Sequence, residues 1–393
     1  MIQPPATLGL LGGGQLGRYF VQAALEMGYA VWVLDPDPAS PAGRLATRHL
    51  CQPFDDPAAL EALAGQCAVI TTEFENIPRA AIEWLDAHAC LRPGPRALTI
   101  AQDRLEEKAF LGEIGVPLAP WQALWEKGAS TGHPADEGPA FPAVLKTARL
   151  GYDGKGQVRL AHADELVQAH AELGGVDCVL EQQVDLEREV SVLVARSPDG
   201  HVEAFPVAEN SHRDGILHLT RVPARLDEPT RERATAIAQR IAECLEYQGV
   251  LAVEFFLTVN GELLVNEIAP RPHNSGHYSL DACTVSQFHQ QVRAICGLGL
   301  APAMLTTPVA MVNLLGDLWP ASTAPDWQGV LEAGRARLHL YGKTKARPGR
   351  KMGHVNVLGL PGEDDAIAAA STAESLWQGL SDAAGGPAAR GDA

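Results

Sequence analysis

Two glutamates, Glu254 and Glu267, interrupt otherwise apolar runs (LAVEFF and LLVNEI) on either side of Asn260-Gly261. Asn-Gly between alternating segments is the strongest short hairpin signal. Counting outward from it places both carboxylates at similar height on paired strands, with Asn266 beside one of them. Charges within apolar strands are costly unless paired or metal-bound. These oxygen donors suit magnesium, or manganese, bridging a nucleotide's phosphates. A solvent-facing acidic row is the alternative, weakened by the apolar flanks. Directly after the hairpin comes Arg271-Pro272-His273-Asn274-Ser275-Gly276-His277. Arg271 can grip a carboxylate or phosphate through two N–H groups, while His273 and Asn274 add donors or acceptors. The H-x-x-x-H spacing raises zinc, but the Asn-Ser-Gly turn chemistry keeps both histidines off one helix face.

Three other stretches could handle anions. Gly151-Tyr152-Asp153-Gly154-Lys155-Gly156-Gln157 follows Lys146 on an apolar run. Glycines let backbone amides close over phosphates, and a nearby lysine adds a point charge. The string is not G-x-x-x-x-G-K-[ST], and a glycine-rich hairpin turn is the alternative. Gly12-Gly13-Gly14-Gln15-Leu16-Gly17 fits G-x-G-x-x-G, with Asp35 where a dinucleotide fold places its ribose ligand. The same turn also serves close helix–sheet packing or a small substrate. Residues 343–351, KTKARPGRK, are the most basic stretch of an acidic chain. They suit a substrate phosphate or form only a solvated turn.

The elements that must position these residues follow from periodicity. Strands are expected over 7–11, 30–34 and 68–72, with a helix over 18–27, a β-α-β-α-β rhythm that predicts a doubly wound parallel sheet. A helix opens near Gln102 and stops at Gly115. Residues 128–142 read as an exposed loop, and helices are expected near 163–173 and 230–246. The expected units are 1–98, Rossmann-like; 99–303, α+β; 304–375, small and strand-rich; and 376–393, a tail without structure.

A chain of 393 residues, 46% hydrophobic and 20% charged, suggests two or three globular domains. A formal charge of −17 argues against nucleic acid or an anionic membrane as partner. Seven scattered cysteines without C-x-x-C spacing read as reduced. With no apolar stretch of spanning length and no leader pattern, a cytoplasmic location is expected.

The order Lys146, glycine loop, Glu181-Gln182, Glu189, Glu254, Asn266-Glu267, Arg271 resembles the ATP-grasp superfamily. The strings GGGQLGR, GYDGKGQ, EIAPRPHNSGH and RPGRKMGHVN are similar to those of its 5-(carboxyamino)imidazole ribonucleotide synthases, of bacterial purine biosynthesis. The resemblance implies a three-domain ATP-grasp fold. It also implies ATP- and bicarbonate-dependent carboxylation of 5-aminoimidazole ribonucleotide through carboxyphosphate, with magnesium, in a homodimer whose product passes to a mutase. It assigns Arg104, Lys146, the 151–157 loop, Glu181, Gln182, Gln183, Val184, Glu189, His212, Asn266 and Glu267 to ATP. Glu254 and Glu267 are assigned to the metal, and Arg271, His273 and Asn274 to bicarbonate. Gln15, Leu16, Glu73, Tyr152, Asp153, Lys343, Arg350 and Lys351 are assigned to the ribonucleotide. The stretch Thr147-Ala148-Arg149-Leu150 departs from relatives, which often carry a second basic residue and another glycine there. A formate-dependent glycinamide ribonucleotide transformylase resembles this chain less, carrying Glu for Gln15 and Asp for Asn274. An NAD-dependent dehydrogenase would leave the glycine loop and the hairpin glutamates without a role, and a non-catalytic nucleotide-binding regulator would tolerate loss of a metal ligand or of Arg271, all of which are present.

Overall fold

The computed structural model describes residues 1–125, 138–151, 154–319, 323–360 and 366–385. Near the N-terminus β1 (Thr7–Leu11), β2 (Ala30–Leu34), β3 (Arg48–Leu50) and β4 (Val69–Thr72) form a parallel sheet in the order β3-β2-β1-β4. Its two faces are both buried, as near-continuous apolar strands require. Leu8, Leu10, Val31 and Val33 pack under the helix Gln15–Glu26, whereas Leu11, Leu34 and Ile70 pack under Arg79–His88. The strand β3 lies outside the expected strands, because three residues carry too little pattern to register. The helix begins at Gln15, three residues before the expected start. Glu73, brought from the end of β4, accepts from the N–H groups of Gly14 (2.6 Å) and Gly17 (3.0 Å), satisfying first-turn donors that sequence leaves unpaired.

A second sheet, β5 (Trp121–Leu124), β6 (Ala143–Thr147), β7 (Gln157–Leu160) and β8 (Cys178–Gln182), runs β5-β8-β6-β7 and is antiparallel. The glycine string 151–157 connects β6 to β7, so it does join a hairpin. Residues 128–137 of the expected loop, with Tyr152 and Asp153, lie outside the described residues.

The large sheet contains β9 (Leu186–Arg196), β10 (Val202–Ala204), β11 (Ala208–Arg213), β12 (Ile216–Val222), β13 (Gly249–Thr258) and β14 (Leu263–Ala269). The Asn260-Gly261 turn joins β13 to β14 with Leu257 opposite Leu263, and a one-residue register shift between Glu254 and Phe255 then brings Glu254 opposite Glu267. Val190, Val192, Val194, Leu251, Val253 and Phe255 bury one face against the helix Glu228–Cys244. The C-terminal strands β15 (Val309–Leu315), β16 (Ala336–Leu340) and β17 (Lys351–Leu358) have a core of their own but no sheet of their own. Instead β15 pairs with β12 and extends the same sheet. The tail expected from 376 onward is helical at its start. The helix Ile367–Ala383 buries Ala369, Ala373 and Leu380 against β15 and β17, an alanine face that composition alone concealed.

Candidate active site

In a cleft of about 490 Å³, lined by Glu75, Asn76, Arg104, Gly151, Glu267 and Arg271 among others, Glu267 faces Arg104, and Glu254 lies opposite it on the hairpin. Asp103 caps the helix Arg104–Glu113 through Leu105 N–H (2.9 Å) and accepts from Arg149 (2.7 Å). That cap fixes Arg104, whose guanidinium lies 3.0 Å from Glu267. Burial, and then the charge of Glu267, push the Glu254 carboxyl up to about 7. A divalent cation between the pair would relieve that repulsion. Two carboxylates plus nucleotide phosphates is a normal magnesium donor set. Among the described residues no group of three or more His, Cys, Asp or Glu side chains is arranged for a metal.

His273 is fixed by a chain of buried hydrogen bonds. Thr220 donates to Asn210 (2.9 Å), whose amide donates to Ser191 (2.9 Å), which lies 2.8 Å from Ser275. Ser275 reaches His273 Nδ1 through both its hydroxyl (2.9 Å) and its N–H (3.3 Å). Nδ1 therefore accepts, and the proton sits on Nε2, 3.2 Å from Glu254. Burial and the neighbouring Arg271 charge hold His273 well below its ordinary pKa, so the ring is neutral. Asn274 is buried, and neither of its amide atoms has a hydrogen-bond partner. Buried amides in this state mark a place where a ligand or water completes the bonding.

On the nucleotide side, Glu181 lies between Lys108 (3.2 Å) and Lys146 (3.1 Å). Burial alone would raise its pKa, yet the two ammonium groups hold it at about 2. Glu181 thus clamps two lysines, and Gln182, Gln183 and Val184 follow it at the end of β8. Glu189 and His212, on β9 and β11, sit 2.8 Å apart. Lys108 donates to the Asn266 carbonyl (3.0 Å), and Glu107 accepts from Ile268 N–H (2.6 Å), tying this helix to β14. In the 151–157 loop, Gly154 and Lys155 are exposed, Gly156 has φ +71°, and Gln157 opens β7. Leu150 has φ +62°, a left-handed conformation that favours glycine, so this chain accepts strain there.

A second cavity of about 610 Å³ is lined by Gly12, Gly13, Gly14, Glu73, Lys343 and Arg350, among others. Lys343 donates to the Lys351 carbonyl (2.7 Å), which folds the basic turn against the cavity. Gln15 is half-buried at the first turn of its helix. Leu16 is 5% exposed and packs in the core with Leu8 and Leu10, so only its backbone remains for a ligand. The glycine turn is not a pyrophosphate site. Gly13 donates to Asp35 (2.7 Å) and Gly14 and Gly17 donate to Glu73, so the amides a dinucleotide needs are taken by carboxylates.

Sequence reasoning missed the roles of Glu75, Lys108, Ser191 and Ser275. Glu75 pairs with Arg271 across 196 positions, Lys108 is fully buried, and the Ser191–Ser275 bond supports His273. Lys108 left a signal, since it shares a helix face with the core residues Leu105 and Leu111. Ser191 left none, and Ser275 only its place in the polar run 271–277.

Three family models match: the ribonucleotide synthetase preATP-grasp domain over 5–102, the ATP-grasp domain over 109–288, and the phosphoribosylaminoimidazole carboxylase C-terminal domain over 309–367. The N5-carboxyaminoimidazole ribonucleotide synthase of Brucella melitensis is 45% identical over 359 residues, 90% of this chain and 96% of that one. That of Bacillus subtilis is 43% identical over 367 residues, covering 93% and 95%. Among solved structures, an ADP complex of an N5-carboxyaminoimidazole ribonucleotide synthetase superposes with TM-score 0.87 at 43% identity, covering 97% of this chain and 99% of that one. The Aspergillus clavatus enzyme in complex with ADP and 5-aminoimidazole ribonucleotide superposes with TM-score 0.82 at 29% identity, with the same coverage. Agreement at this level along all three units leaves no room for the transformylase, dehydrogenase or regulator readings: the chain belongs to the ATP-grasp superfamily and, within it, to the N5-carboxyaminoimidazole ribonucleotide synthases.

Proposed function

We propose that this chain carboxylates the exocyclic amine of 5-aminoimidazole ribonucleotide, consuming ATP and bicarbonate. The observation that carries the reading is the segment 73–76 at the end of β4. Glu73 and Phe74 line the cavity with the basic turn, while Glu75 and Asn76 line the cleft with Arg104, Glu267 and Arg271. One extended segment separates two anion-handling cavities, so an amine held in one is within reach of a carbon activated in the other.

A bicarbonate oxygen attacks the γ-phosphorus, the bond to ADP breaks, and carboxyphosphate forms. The amine nitrogen then attacks the carboxyl carbon, the carbon–oxygen bond to phosphate breaks, and the amine gives up a proton. Lys146 and Arg104 serve the nucleotide phosphates, with Glu189 and His212 at its ribose. Arg271 stabilises charge on the attacking oxygens without being consumed. His273, neutral and pointing its N–H at Glu254, and Asn274, with an unsatisfied amide, complete the bicarbonate pocket. Glu254 and Glu267 would hold magnesium, or manganese, which would supply positive charge against the phosphates. Lys343, Arg350 and Lys351 receive the ribonucleotide's phosphate. Among the described residues no helix is long and apolar enough to cross a membrane. We place the enzyme in the cytoplasm as a homodimer that passes its labile carbamate to a mutase, a setting supported by family resemblance.

ADP release, followed with each substrate omitted in turn, tests the reaction. Release that requires bicarbonate and rises strongly with 5-aminoimidazole ribonucleotide is expected. Release driven by glycinamide ribonucleotide and formate, indifferent to bicarbonate, would overturn the reading.

A further inference from the structure

Arg271 does not stand alone in the cleft. Its Nε donates to one oxygen of Glu75 and its Nη2 to the other (3.2 Å), while Nη1 donates to the Pro272 carbonyl (3.2 Å). A guanidinium has five N–H groups. Three are engaged, which leaves one on each terminal nitrogen for a planar oxyanion. The side chains are 18% and 22% exposed, so solvent screens the pair weakly.

Glu75 is itself held firmly. Gln102 donates to the carbonyls of Glu75 (2.7 Å) and Ile77 (2.8 Å), and Ile77 is buried in the core of the first domain. On the other side, Phe74 N–H donates to the Thr72 hydroxyl (3.1 Å). The glutamate therefore belongs to a braced segment of one domain, while Arg271 leaves β14 in another. A flexible arginine with several rotatable bonds takes one orientation when both edges of its fork meet a fixed carboxylate.

We propose that Glu75 is a positioning residue for bicarbonate activation: it fixes the guanidinium of Arg271 so that the two remaining N–H groups meet the bicarbonate and, later, carboxyphosphate oxygens. This rests on the carboxylation reading above. Glu75 touches no reacting atom and acts through Arg271. It also places the arginine on the segment that carries Glu73 to the ribonucleotide cavity, so the two substrates share one support.

Steady-state kinetics of Glu75→Gln test this in the full chain. The KM for bicarbonate should rise about tenfold or more and kcat should fall, as loss of a charged hydrogen bond implies. The KM values for ATP and 5-aminoimidazole ribonucleotide should stay within about twofold, which also reports correct folding. Glu75→Asp, which keeps the charge, should recover part of kcat. In an Arg271→Lys background the fork is gone, so adding Glu75→Gln should change kcat/KM by less than about twofold. The same loss in both backgrounds would overturn the proposal. So would a fall in bicarbonate KM, which would mean that the Glu75 carboxylate occupies the anion's own seat. If instead the wild-type enzyme ignored bicarbonate, the carboxylation reading itself would fail, a result separate from any behaviour of the variants.

Discussion

The two glycine-rich loops carry similar signatures and do opposite things. In the first, 12–17, the amides of Gly13, Gly14 and Gly17 are satisfied by Asp35 and Glu73 from neighbouring strands. A Cβ on Gly14 would lie 2.7 Å from a Glu73 oxygen, so the turn is a closed, internally capped wall. In the second, Thr147 donates its N–H to the Gly156 carbonyl (2.8 Å), while Gly154 and Lys155 face solvent. Glycine density therefore reports close backbone approach, and the nearest carboxylates decide whether the approaching group is the protein or a ligand.

Variants can break this contrast. The largest effect is expected where the two regions meet. Arg271→Ala should lower kcat about a hundred- to a thousandfold, as removal of one transition-state donor does. ATP binding, measured by calorimetry, should persist. Next come paired losses on either side. Arg350→Ala should raise the KM for the ribonucleotide about ten- to a hundredfold and leave that for ATP within about twofold, and Lys146→Ala should do the reverse. Equal rises for both substrates would show that the sides are not separable.

Stability should divide the loops by a smaller margin. Gly14→Ala pushes a methyl into Glu73 and should cost about 1–3 kcal/mol, visible as a lower melting temperature. Gly154→Ala meets the backbone of Gly215 at 3.1 Å and of Asp214 at 3.4 Å in an exposed turn, and has φ +74°. It should cost about 1 kcal/mol and act mainly on the KM for ATP. The smallest effect concerns pH. Burial pushes Glu73 up to about 7 from an ordinary value of 4.5, despite two N–H donors. A folded pKa above the unfolded one gives stability that is present below 4.5 and lost as pH rises through 7. The melting temperature of Glu73→Gln relative to wild type should thus climb between pH 4.5 and 7. A flat difference would mean that Glu73 titrates normally.

Much of the site was legible because local pattern forced it. The Asn260-Gly261 turn announces the hairpin and so the nearness of Glu254 and Glu267, while their final pairing is set by a one-residue register shift between Glu254 and Phe255 that the turn does not encode. The strand 7–11 and the helix after Gln102 were equally plain, since apolar period and caps are short-range properties. The helix start at Gln15 was misplaced because its cap comes from Glu73, 59 residues away. The C-terminal unit looked separate because strand pairing between β12 and β15 leaves no mark on either strand.

Sequence by itself therefore determined the donor chemistry: the paired glutamates, the glycine loop behind Lys146, the Arg271–Asn274 pocket, and the family that unites them. Tertiary structure alone decided which of those donors are committed and to whom. Glu181 is bound to Lys108 and Lys146, the first glycine turn is closed by Asp35 and Glu73, and Arg271 is held by Glu75. The physical reason is that burial and pairing arise between residues far apart in the chain, and a buried charge answers to whichever opposite charge the fold sets within a few ångströms of it.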